Sequence, residues 1–245
     1  MPDADPPAAL AEQRSPVRWG FGDAVGGWVV AQIGGVIASS LVLATKGLDA
    51  DQFDELSLGW IAVAQLGLWF GLLGAPWLAT RLKGNGLVED LRLRVERSDV
   101  WIGAVCGFLT QYGVLLLYLP VFWLTDIDTD QFNEPARELS DRATDAVGIT
   151  LLVLIVGIGA PIVEEIFYRG LMQRSLVRRF GTRWGIGLTA VIFAASHFEP
   201  LQFPALAVFG VVVGILAERY QRLGPAIFAH MVFNIAAVVA LVSGS

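Results

Sequence analysis

Residues 146–171, AVGITLLVLIVGIGAPIVEEIFYRGL, decide how the rest of the chain is read. From Ala146 to Ile162 the run is almost wholly apolar. It then places Glu164, Glu165 and Arg169 within about a turn and a half of helix. The run is long enough to cross a bilayer, for which roughly 20 apolar residues suffice. A charge in hydrocarbon is costly on every scale, so three in one short stretch require either mutual pairing or a function.

The surrounding sequence has the same character. Hydrophobic residues make up 55% of the chain and charged residues 16%, with a mean hydropathy of +0.60. These values lie outside the range of soluble globular domains. The stretch from Asp23 to Thr45 has no charge after its first residue, and neither Leu56–Thr80 nor Val100–Thr125 carries any. Further apolar runs cover about 146–171, 184–197, 203–217 and 224–242, giving seven candidate helices in all. The fold class expected is therefore all-α, a polytopic transmembrane bundle of about seven helices.

Loop charge gives the orientation, because cytoplasmic loops are rich in Lys and Arg. Residues 81–99 carry Arg81, Lys83, Arg92, Arg94 and Arg97; residues 174–183 carry Arg174, Arg178, Arg179 and Arg183; the link 218–223 carries Arg219 and Arg222. The alternate loops are acidic. Residues 46–56 set one lysine against Asp49, Asp51, Asp54 and Glu55, and residues 126–145 set two arginines against seven acids. The N-terminus is accordingly expected in the cytoplasm and the C-terminus outside. Residues 1–22, rich in Pro, Ala and charge, are expected to form a disordered cytoplasmic tail, since they lack the regions of a signal peptide. Residues 23–144 then hold three transmembrane helices with their loops, and 145–245 a core of four. Two lysines against fifteen arginines suggest a GC-rich, bacterial genome, and hence a bacterial plasma membrane.

Some features carry no chemistry. The net charge of −6 resides largely in the loops and tail, and no basic patch suits nucleic acid. Cys106, the single cysteine, sits in an apolar run and reads as a small buried hydrophobe. The segment DIDTDQFNEPAR (126–137) begins with Asp126, Asp128 and Asp130 like a calcium loop. It has Gln131 where the turn glycine belongs and Arg137 where the bidentate glutamate belongs, so it reads as a solvated acidic loop. Gly210 and Gly214 form a GxxxG, which permits close helix packing.

The ionisable groups inside the last four helices reduce to Glu164, Glu165, Arg169, His197 and His230, joined by the neutral Asn234. His197 and His230 are the only histidines in the chain. Glu165 and Arg169 are i,i+4 and can pair, while Glu164 is rotated about 100° away and can face the bundle interior. Phe193 and His197 (FAASH) share a face, as do His230 and Asn234 (HMVFN). Counted from the flanking arginines, Glu164 lies about 15–21 Å deep, His197 about 21 Å and His230 about 12 Å. A shared intramembrane site nearer the cytoplasmic side, opening toward the cytoplasm, is the resulting expectation.

EEIFYR, FAASH and HMVFN, in this order on successive membrane helices, resemble the three motifs EExxxR, FxxxH and HxxxN of the CAAX-protease and bacteriocin-processing family. These intramembrane proteases, also called the ABI family, include the Ras-converting enzyme. The resemblance covers about residues 145–236 and matches at Glu164, Glu165, Arg169, Phe193, His197, His230 and Asn234. It implies an intramembrane endopeptidase acting on a membrane-associated or lipidated peptide or protein held at the lipid bilayer. Glu164 and His197 would activate water, and His230 and Asn234 would stabilise the oxyanion. Glu165, Arg169 and Phe193 would support them, with no catalytic metal. Zinc remains the less favoured alternative, since two histidines and two glutamates are competent ligands but HExxH is absent. The competing functions are a non-catalytic scaffold or bacteriocin-immunity protein and, less favoured, a proton-coupled transporter with a carboxylate–histidine relay.

Overall fold

The computed structural model describes residues 16–125 and 129–244, the side chains of 242–244 excepted. Every long element is a helix, and no strand occurs among the described residues. In chain order these are α1 (Phe21–Lys46), α2 (Leu58–Lys83), the short α3 (Leu87–Leu91), α4 (Arg97–Leu124) and α5 (Thr129–Ser140). They are followed by α6 (Ala146–Phe180), α7 (Thr182–Ala195), α8 (Phe203–Tyr220) and α9 (Gly224–Gly244). Six of them (α1, α2, α4, α6, α8 and α9) are long and apolar enough to cross a membrane.

The remaining pass expected from the sequence is α7. At 14 residues it is about 21 Å long, short of the roughly 30 Å hydrocarbon core. The chain leaves it through an irregular segment, 196–202, which Tyr118 of α4 holds by donating to the Leu201 carbonyl at 2.6 Å. Non-helical backbone at membrane depth is tolerated where protein or a cavity surrounds it, and this segment meets both conditions.

Large apolar side chains cover the outside of the bundle. On α4, Trp101 and Trp123 are 76% and 89% exposed and stand about 33 Å apart along the axis. That spacing matches the two aromatic belts of a bilayer. The charged groups Glu165 and Arg169 are instead buried, at 0% and 1%. With apolar groups outward and charges inward, the chain is an integral membrane protein.

Small residues set the helix spacing. Along α2, Gly67, Gly71 and Ala75 recur at four-residue intervals and meet Gly27, Ala31, Gly34 and Ala38 of α1. A methyl group on Gly71 would lie 2.3 Å from the Ala31 Cα, so the two backbones are in contact. The Gly71→Val variant is expected to lose about 1–3 kcal/mol of stability. Thermal unfolding in detergent would register this as a lowered midpoint; an unchanged midpoint would contradict the packing account. The GxxxG of α8 also serves packing: a side chain on Gly210 would strike Ala190 of α7, and one on Gly214 would strike Gln173 of α6.

Two boundaries differ from the expectation. Of the expected tail 1–22, residues 1–15 lie outside the described residues, but 16–20 are packed on the basic end of the bundle and α1 starts at Phe21. Trp19 is 2% exposed, its indole donates to Asp90 at 3.0 Å, and the Arg178 guanidinium lies over its ring at 3.8 Å. The acidic loop is also partly helical. Asp126 and Asp128 lie outside the described residues, whereas Thr129–Ser140 forms α5 despite Pro135.

Candidate active site

The site is built on α6, which is not a uniform α-helix. It widens to π-helical turns at Val153–Gly159 and Ile166–Gln173, on either side of Ala160–Glu165. Pro161 removes the donor that would bond back to residue 157, and its ring needs room in the preceding turn; the wide segment directly before it supplies that room. The widened turn leaves the Val156 carbonyl to a side-chain donor, and Asn234 of α9 occupies it through Nδ2 at 2.8 Å.

Glu165 and Glu164 point apart, as their angular offset requires. Glu165 is fully buried, and its Oε1 accepts from Arg169 Nη1 at 2.9 Å and from His230 Nδ1 at 2.8 Å. Arg169 places its guanidinium carbon 4.5 Å from the centre of the Phe193 ring. This pairing offsets the cost of burying either charge alone. Glu164 faces the cavity with its side chain 15% exposed, and its Oε2 stands 3.9 Å from His230 Nε2.

Both histidines have their ring orientation fixed from behind. His230 donates Nδ1–H to the Glu165 carboxylate, so its Nε2 edge faces Glu164. His197 sits just past the end of α7, where its Nδ1 bonds the Phe193 carbonyl at 2.8 Å. A carbonyl only accepts, so Nδ1 carries the proton and the neutral ring is left with a lone pair on Nε2. Phe193 packs edge-on against both rings, at 4.8 Å from His197 and 5.8 Å from His230. Phe193 thus touches His197, His230 and the Arg169 guanidinium together.

Glu164, His197, His230 and Asn234 all line one cavity of about 390 Å³. Glu165, Arg169 and Phe193 lie behind this wall. The cavity extends from these residues past Gln65 and Gln111 to Leu58, Leu152 and Leu241, with Phe132, Ala136 and Leu139 of α5 along it. That is the end of the bundle bearing the acidic segments. The depth estimate had the site opening toward the basic end; the lining of the described cavity runs the other way, and α5 lies along it. Among the described residues, no three His, Cys, Asp or Glu side chains are grouped to hold a metal ion.

Several residues of this site were not foreseen. Phe209 of α8 packs edge-on against His230 at 4.8 Å, Trp28 of α1 donates to Ser196 beside His197 at 2.9 Å, and Gln202 donates to the Phe132 carbonyl of α5 at 3.0 Å. Each contact joins distant parts of the chain, and spacing along one helix carries no signal for it. The apolar face of α5, with Phe132, Ala136 and Leu139 at helical spacing, was a legible signal.

Residues 146–236 match a family model described as type II CAAX prenyl endopeptidase Rce1-like. The C-terminal core is thus similar to the Rce1-like family. The matched segment starts with α6 and ends just past Asn234, so it contains all seven motif residues and leaves α1–α5 outside. No curated protein and no solved structure matches the chain. The Rce1-like match supports, in general terms, an intramembrane CAAX-type endopeptidase. A protease embedded in the membrane implies a membrane-associated substrate and a lipid environment.

Proposed function

We propose that this Rce1-like protein hydrolyses a peptide bond in a membrane-associated peptide or protein, with Glu164 as general base. The observation that carries the reading is the convergence of Glu164, His197, His230 and Asn234, from α6, the 196–202 segment and α9, on one cavity inside the bundle. The Glu164 carboxylate and the His197 Nε2 lone pair each accept a hydrogen from one water molecule. The water oxygen attacks the scissile carbonyl carbon as its proton passes to Glu164. In its doubly protonated form His230, held through Nδ1–H on Glu165, donates Nε2–H to the oxyanion, and the second Nδ2–H of Asn234 does the same. Glu164 then returns the proton to the leaving amine as the C–N bond breaks. Glu165, Arg169 and Phe193 are positioning residues: they fix the rings and the helix without touching substrate.

The mechanism is proposed without a metal, and cleavage by the purified protein is expected to persist in the presence of a chelator. Loss of activity that added zinc restores would overturn that part of the reading. We further propose, from the loop charges, that the basic end is cytoplasmic and, from the excess of arginine over lysine, that the membrane is a bacterial plasma membrane. The substrate is identified by comparing peptide termini in membranes of cells making the wild-type protein or Glu164→Gln at matched levels. New termini specific to wild type are expected; indistinguishable profiles, with the variant folded, would contradict proteolysis.

A further inference from the structure

Glu199 stands two residues after His197 and lines the same cavity, yet the mechanism above does not use it. Its setting is built rather than incidental. Phe198, between the two, adopts φ 57°, a left-handed conformation that costs a residue with a side chain about 1–2 kcal/mol. This turn sends the Phe198 ring outward, 71% exposed, and leaves His197 and Glu199 together on the cavity wall. Backbone strain of this kind persists only where the surroundings enforce it. Here the enforcement comes from the bonds of Ser196, Leu201 and Gln202 to α1, α4 and α5.

Unlike Glu165, Glu199 has no arginine or lysine paired with it among the described residues. The nearby α5 supplies no spare cation, since its Arg137 pairs with Asp130 at 2.8 Å. A half-buried carboxylate on a mainly apolar wall is stabilised further when a counter-charge arrives. We propose that Glu199 forms a subsite for a positively charged side chain, Lys or Arg, of the bound peptide close to the scissile bond. The subsite rests on the peptidase reading of the cavity and adds its substrate class: an apolar membrane segment carrying one basic residue.

The test uses full-length protein in lipid nanodiscs and a bilayer-anchored peptide library carrying Lys, norleucine or Asp at each successive position. Wild type is expected to cleave Lys peptides over norleucine peptides by about tenfold at one position, as a charge-assisted hydrogen bond would give. Glu199→Gln is expected to bring that ratio near one, and Glu199→Lys to shift it toward Asp. Binding of the same peptides is measured in a Glu164→Gln background, with and without Glu199→Gln. Glu164-dependent cleavage that shows no Lys preference, or one that survives Glu199→Gln, overturns the subsite and leaves the peptidase standing. Lys-selective, Glu199-dependent binding without any cleavage keeps the subsite and overturns the peptidase. The absence of both overturns both.

Discussion

Glu164→Gln is expected to lower peptide cleavage by about 10²–10⁴-fold, the range that a positioned general base contributes. The amide has nearly the same shape as the carboxylate and fills the same place on the cavity wall, so stability is expected to change little. The effect should fall on kcat, because the carboxylate acts on the proton as it leaves water and not on the bound peptide. A contrast with Glu165→Gln makes the prediction sharper. Glu165 accepts from both Arg169 and His230, so its amide loses a buried ion pair and the anchor of one histidine together. Glu165→Gln should therefore impair folding and cleavage, whereas Glu164→Gln should impair cleavage alone. Measuring kcat and the thermal midpoint of each variant in the same detergent separates the two roles.

Arg169→Ala is the variant with the largest expected structural effect. It removes the arginine from a fully buried pair and leaves the Glu165 carboxylate with only its bond to His230, a change that costs about 3–5 kcal/mol. Packing on the Phe193 ring is lost as well. If the cost arises from the stranded charge, adding Glu165→Gln to Arg169→Ala should recover part of it. If instead packing dominates, the double variant should be no more stable than the single one. Equilibrium unfolding of the two variants decides between these outcomes.

The elements of the site that lay on single helices were legible in the sequence. The Glu165–Arg169 and Phe193–His197 contacts and the turning of Glu164 toward the bundle interior follow from helical spacing alone, and these contacts occur in the structure. What spacing did not reveal was the bond from His230 to Glu165, because it joins α9 to α6 across 65 residues. The π-helical turns around Pro161 were also missed, since a proline in an apolar run signals a distortion but not its kind. The case of α5 is different. Its acids and Pro135 suggested a loop, yet its apolar residues fall on one helical face, and that half-buried face lies along the cavity. The packed Trp19 was hidden by composition: a segment rich in Pro and charge still docks when one indole finds a buried carboxylate.

The most direct test of the central claim is cleavage in H₂¹⁸O by purified protein in proteoliposomes, using the substrate that the comparison of termini identifies. The account predicts that wild type releases a new C-terminal carboxylate bearing one ¹⁸O atom, and that Glu164→Gln yields this product at about one-hundredth of the rate or less. A labelled product formed equally by both proteins, or no hydrolysis by folded wild type, would contradict it.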